Sequence, residues 1–228
     1  MGKKVLVVAA HPDDEVLGVG GTIARHAASG DIVKILIMAE GLTSRDIVRD
    51  VASHAAELKA LHARSHEAAS VLGAKSVDLF SFPDNRMDSV DLLDVVKKIE
   101  PVVAEFAPDI CYTHYSGDVN IDHQITNRAV MTACRPIPGN VSPDLYFFET
   151  LSSTEWNCAA GVAFSPNVFV DVEPYIEQKM QALKLYVSEM RPYPHSRSYE
   201  AVEALAKYRG FTVGKKFVEA FALGRSIR

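Results

Sequence analysis

Short continuous apolar runs alternate along this chain with longer stretches in which apolar residues return every three to four positions. The first run, 4–10 (KVLVVAA), is rich in β-branched residues and has no polar alternation, the pattern of a strand buried on both faces. Helical spacing follows over 15–29 and stops at Gly30, and a second strand is predicted at 32–38 (IVKILIM). A long helical rhythm over 46–72 ends at Gly73, a third strand covers 77–82, and the turn Pro83-Asp84-Asn85 leads to a helix over 90–106. A fourth strand is predicted at 109–113 (DICYT), then a helix from His123 to Cys134 and strands at 145–150 and 168–172. The last third closes with helical stretches over 174–190, 199–208 and 213–223. Strand and helix in alternation predict an α/β fold, a mostly parallel sheet flanked by helices and joined by right-handed crossovers.

Composition narrows the picture. The 228 residues, 48% hydrophobic, suffice for one sizeable core, so a single domain over 1–228 is expected, without repeat or linker. A net charge of -5 gives no cationic field for a phosphate backbone, so nucleic acid is excluded as a partner and a small-molecule or glycan substrate is favoured. The three cysteines, Cys111, Cys134 and Cys158, have no metal-ligand spacing and read as core thiols in a reducing compartment. No run approaches the roughly 18 to 20 apolar residues of a membrane span, and the start is not a signal peptide, so a soluble, cytoplasmic protein is expected. Homo-oligomerisation is left open.

In open parallel sheets ligands bind beyond the carboxyl ends of the strands. Two polar segments sit there: His11-Pro12-Asp13-Asp14-Glu15 after the first strand, and 114–123 (HYSGDVNIDH) after the fourth. Pro12 forces a turn that lets His11 and Asp14 converge while Asp13 approaches from another side. Imidazole and carboxylate together suit zinc, and a catalytic zinc site wants a third protein ligand, for which His123 is the natural choice. Asp122 would then orient a ligand or cap the helix. Asp13 or Asp14 could instead simply cap the following helix, but capping gives no reason for histidines to gather past both strand ends.

These residues resemble the PIG-L/LmbE-like zinc-dependent N-acetylglucosaminide deacetylases. The likeness is carried by Ala10-His11-Pro12-Asp13-Asp14-Glu15, Gly20-Gly21-Thr22 and Asp122-His123, with weaker matches at Arg64-x-x-Glu67, Phe82-Pro83-Asp84 and Gly214-x-x-x-x-Glu219-Ala220-Phe221. It implies a Rossmann-like fold, zinc, and hydrolysis of an acetamido group on a sugar. It makes His11, Asp14 and His123 the metal ligands and Asp13 the general base. It also implies that Arg64 and Asp84 contact sugar hydroxyls. His114 and Asp118, in the segment after the fourth strand, are expected to line the same mouth. Many members have histidine where this chain has Asn120, a residue often assigned to the oxyanion, and an amide stabilises that charge less than imidazolium. His195, in Arg191-Pro-Tyr-Pro-His-Ser-Arg197, matches the C-terminal histidine that some relatives use instead. A two-histidine, one-carboxylate set also suits iron(II) or another divalent cation.

Three other readings compete. A dinucleotide-binding domain would need its glycines directly after the strand, where this chain has two carboxylates that repel phosphate. A non-catalytic carbohydrate-binding protein would be expected to have lost part of the constellation. Hydrolysis of a different amide, in a sugar-thiol conjugate or a natural-product intermediate, keeps every residue and changes only the bond.

Overall fold

The computed structural model describes residues 2–140, 142–158 and 163–228. Five strands, β1 (Lys4–Ala9), β2 (Ile32–Ala39), β3 (Ser76–Phe82), β4 (Ile110–His114) and β5 (Asp144–Phe148), pair in parallel. Two further strands, β6 (Val168–Asp171) and β7 (Val218–Arg225), extend the sheet antiparallel, giving the order β3-β2-β1-β4-β5-β7-β6. Helices α1 (Asp14–Ala28), α2 (Ala55–Val71), α3 (Leu92–Phe106), α4 (Ile121–Ala133), α5 (Ile176–Leu183) and α6 (Tyr199–Phe211) complete the chain.

The unbroken apolar run of β1 follows from its central place. Val5 and Val7 pack with residues of α1, α2 and α5 on one face, and Leu6 and Val8 with residues of α3 and α4 on the other. All four are fully buried, each burial worth about 1.5 to 3 kcal/mol.

After β1 the chain builds β2 and β3 on one side, then crosses back to place β4 on the other. The sheet therefore changes direction between β1 and β4, and such a switch point opens a crevice at the carboxyl ends of the two strands. Gly41, just beyond β2, packs against the turn that follows β1. Its φ of +81° suits glycine, and a Cβ there would lie 2.4 Å from Pro12 Cδ. Gly41→Ala should therefore cost about 1 to 3 kcal/mol of stability, measurable by denaturant unfolding.

Two expectations are corrected. The helix predicted over 46–72 begins only at Ala55. The preceding stretch holds a short 3₁₀ turn, Thr43–Arg45, and then irregular chain fixed by side chains: Arg49 forks onto buried Glu40, and Arg86 donates to the carbonyls of Asp46 and Ile47. The helix predicted over 213–223 is largely β7. Its Glu, Ala and Leu favour a helix locally, but the segment lies between β5 and β6 and its backbone gains ladder partners on both sides.

Candidate metal centre

The turn after β1 aims its side chains away from ordinary capping. Asp13 sits at φ 118°, a conformation costly for a non-glycine residue, and its carbonyl accepts from the amides of Val16 and Leu17. Neither its carboxylate nor that of Asp14 caps α1. Asp14 Oδ2 accepts from the His11 amide at 2.8 Å, which folds the turn back upon itself. Asp13 N donates to Glu15 Oε2 and Tyr186 OH to Glu15 Oε1, so a third buried carboxylate supports the turn from below. Burial pushes the Glu15 pKa up to about 7.

His11 Nδ1 lies 3.1 Å from Asp14 Oδ2, and His123 Nε2 lies 3.2 Å from that oxygen and 3.3 Å from His11 Nδ1. A tetrahedral ion bonded at about 2.0 to 2.1 Å needs ligand atoms roughly 3.3 Å apart, so this triangle has the dimensions of one face of such a site. Asp14 Oδ1 is buried without a hydrogen-bond partner, which leaves a carboxylate to be completed by a cation. Burial opposes the Asp14 charge, but His123, His114 and His11 hold its pKa well below the usual carboxylate range.

The far nitrogens of both histidines are tied to carboxylates. His11 Nε2 is 3.0 Å from Asp122 Oδ2 and 3.4 Å from Asp84 Oδ1. His123 Nδ1 is 3.1 Å from Asp118 Oδ2. Asp122 is fixed in turn by the amides of Asn85 and Met87, and Asp118 by the hydroxyls of Ser153 and Thr154. Burial acts against Asp118, yet His123 and those hydroxyls bring its pKa down to about 2. Burial likewise opposes His123, whose pKa Asp14 and Asp118 raise to about 9. Such carboxylate–histidine pairs fix which ring nitrogen carries the proton and aim the other at a cation. His11, Asp84 and Asp122 also lie close enough to hold an ion between them, but they are better read as the partners of that far nitrogen.

His114 and Asp118 do not line the mouth as expected. Both are fully buried. His114 stacks on His123 with ring centroids 3.8 Å apart, and its Nε2 accepts from the Ala10 amide at 2.9 Å, which requires a neutral ring. Asn120 begins α4: its Oδ1 accepts from the amides of Asp122 and His123, and its Nδ2 donates to Asn85. Asp84 is buried, accepting from Ser44 N and Asn85 Nδ2. Arg64 stands farther out, on α2, at 3.3 Å from Ser188 Oγ. His195 is exposed, with Nδ1 accepting from Arg197 N and its ring edge-on to Trp156.

One residue escaped the sequence reading. Arg197 Nη1 donates to Asp13 Oδ2 at 3.0 Å, and its Nε to Ser152 Oγ. In the sequence it is only the end of the motif around His195, and nothing in local spacing ties it to a carboxylate 184 positions earlier. Burial pushes the Asp13 pKa well above the usual range against the pull of Arg197, the direction that suits a base. Asp13 Oδ1 is buried and has no hydrogen-bond partner.

Residues 6–134 match the family model PIG-L, described as GlcNAc-PI de-N-acetylase. The chain is 31% identical over 192 residues to an uncharacterized deacetylase, YaiS, of Escherichia coli, covering 82% of this chain and 91% of that protein. Among solved structures it is similar to N,N'-diacetylchitobiose deacetylase from Pyrococcus horikoshii, with TM-score 0.77 and 20% identity over 97% of this chain and 83% of the other. It is also similar to GalB, the 4-carboxy-2-hydroxymuconate hydratase of Pseudomonas putida, with TM-score 0.79 and 22% identity over 99% and 98% of the two chains. The shared architecture thus serves more than one reaction. With more than half of its length matched by the family model, and a turn after β1 and a helix start after β4 that meet in one buried constellation, the chain belongs to the PIG-L family of de-N-acetylases.

Proposed function

We propose that the protein removes the acetyl group from an N-acetylated amino sugar of the GlcNAc type, using a divalent cation, zinc in the first instance, held by His11, Asp14 and His123. The observation that carries this reading is the triangle of ligand atoms next to Asp13, a buried carboxylate whose Oδ1 has no hydrogen-bond partner.

His11, Asp14 and His123 would hold the ion, which when bound would supply water of pKa lowered to about 7 and polarise the amide carbonyl. Asp13 would act as the base, accepting the proton of the attacking water on Oδ1, the oxygen without a partner. The same carboxyl returns the proton to nitrogen when the C–N bond breaks, leaving acetate and a free amine. Arg197 holds Oδ2 throughout, so Asp13 offers one fixed oxygen rather than two. Asp122 and Asp118 keep the ligand lone pairs aimed inward. Of the two donors expected at the oxyanion, Asn120 is engaged in the α4 cap and with Asn85, which leaves His195 on the open side for that role. Arg64 is assigned to the sugar hydroxyls, whereas Asp84 serves His11, and His114 and Asp118 serve His123, from behind.

Incubating the purified protein with N-acetylated sugars should release acetate and free amine in equal amounts, with metal analysis on the same sample separating zinc from iron(II). Consumption of water without acetate release, the outcome a hydratase of this fold would give, would replace the deacetylase reading. A smaller effect follows from the supporting carboxylates. Asp118→Asn and Asp122→Asn should each weaken metal affinity about 10- to 100-fold in a competition titration against a chelating dye. Wild-type affinity in both variants would mean that the two histidines need no orientation.

A further inference from the structure

Asp13 is held at two points by one stretch of chain, the connection between α5 and α6. Its carboxylate Oδ2 accepts from Arg197. Its backbone is held through Glu15: the Asp13 amide donates to Glu15 Oε2 at 3.0 Å, and the Tyr186 hydroxyl donates to Glu15 Oε1 at 2.7 Å. Both oxygens of Glu15 are thereby taken, and both residues are buried. Tyr186 closes a 3₁₀ turn, Lys184–Tyr186, and its ring belongs to the core cluster that also contains Leu17, Leu61 and Leu183. The hydroxyl is therefore delivered from a rigid mount.

Asp13 needs such a hold. A φ of 118° is adopted by few non-glycine residues, and it persists only where the surroundings over-determine it. Changing φ swings the side chain about the N–Cα bond, so the rotation that relieves the backbone also carries Oδ1 away from its present aim. A carboxylate that accepts the Asp13 amide resists that rotation, but only while it is fixed itself. Glutamate has several side-chain torsions, and its far oxygen is pinned here by a group 171 positions away.

We propose that Tyr186 is a positioning residue: through Glu15, its hydroxyl keeps the Asp13 backbone in the conformation that aims the general base. The step it serves rests on the deacetylase reading, whereas the geometry it governs belongs to the chain alone. Because Tyr186 acts through Glu15 and Asp13 rather than on the substrate, its effect falls on kcat and leaves KM alone.

Tyr186→Phe keeps the ring in the core and removes one oxygen. With an N-acetylglucosaminide as substrate, kcat for acetate release should fall about 10-fold, with KM and bound metal unchanged. Glu15→Gln, whose amide still accepts from the Asp13 N–H and donates to the tyrosine oxygen, should retain most of the rate. Glu15→Ala should lose at least as much as Tyr186→Phe, and in that background Tyr186→Phe should cost nothing further, since the hydroxyl has no carboxylate left to pin. A second readout needs no turnover. Hydrogen exchange of the Asp13 amide, followed by NMR in the purified protein, should quicken about tenfold or more in Tyr186→Phe while the amides of β1 keep their wild-type protection. A wild-type kcat in Tyr186→Phe, or the same loss with and without Glu15, overturns the inference even where stability has dropped, because a purely structural tyrosine loosens the fold without touching the rate. Failure of the reading beneath looks different. If the wild-type protein releases no acetate but Tyr186→Phe still speeds exchange at Asp13 alone, Tyr186 stands as the residue that positions Asp13 and only the assigned reaction falls. Unchanged exchange in that case overturns the inference as well.

Discussion

Asp13→Asn should lower kcat for amide hydrolysis by about 10² to 10⁴-fold while bound metal stays at wild-type stoichiometry. The asparagine has nearly the same shape and keeps an oxygen for Arg197, so the turn has little reason to rearrange. What it loses is the ability to take a proton on Oδ1, which nothing else in the described structure occupies. Removing the metal with a chelator should abolish activity too, but by a route that differs in two measurable ways. Metal content falls to zero, and activity returns when zinc is added back. Near-wild-type turnover in Asp13→Asn would transfer the base to another group and leave Asp13 as a purely structural partner of Arg197.

The second large effect lies away from the chemistry. Lys179 and Glu219 form an ion pair at 2.6 Å with both side chains only 4% exposed. Glu219 also accepts from the amides of Gly21 and Thr22 at 2.9 and 2.7 Å, and Lys179 donates to the Leu17 carbonyl at 2.8 Å. The pair thus joins the hydrogen bonding of α1 in mid-helix and binds β7 and α5 to it. A Cβ at Gly21 would lie 2.9 Å from Val172, so glycine lets neighbouring chain come this close. Glu219→Leu or Lys179→Met strands the other charge in a buried site and should cost about 3 to 5 kcal/mol. For a chain of this size that is roughly 6 to 20 °C in Tm. The double variant leaves no lone charge and should lose less than the two single costs combined, which a double-mutant cycle reads directly. Additive losses would mean that the two charges do not depend on each other.

The parts of the molecule legible in the sequence are those encoded locally. β1 reads as a strand because its two faces meet two different helix layers, and a histidine directly after such a strand can only lie at the sheet's edge. His123 could be joined to it because β4 ends next to β1. What escaped depends on long-range pairing. Segment 218–225 has helix-forming composition and becomes a strand only through neighbours from elsewhere in the chain. Arg197 reaches Asp13 from a loop with no periodic signal, and the ion-paired role of Glu219 appears only once Lys179 stands opposite it. Asp118 and His114 were placed in the right neighbourhood at the wrong depth, because spacing fixes position along the chain but not which side chains the next loop covers.

The change of direction between β1 and β4 has a bearing on biogenesis. His11 and Asp14, two of the three proposed ligands, are synthesised more than a hundred residues before the third, His123, which follows a strand that must dock against β1. A nascent chain truncated before residue 110 would hold at best a loose bidentate claw, so high-affinity loading has to wait for β4 to close the gap. Metal uptake during refolding should accordingly follow the slow assembly of the sheet rather than precede it, making the cation a late clasp on an already ordered chain.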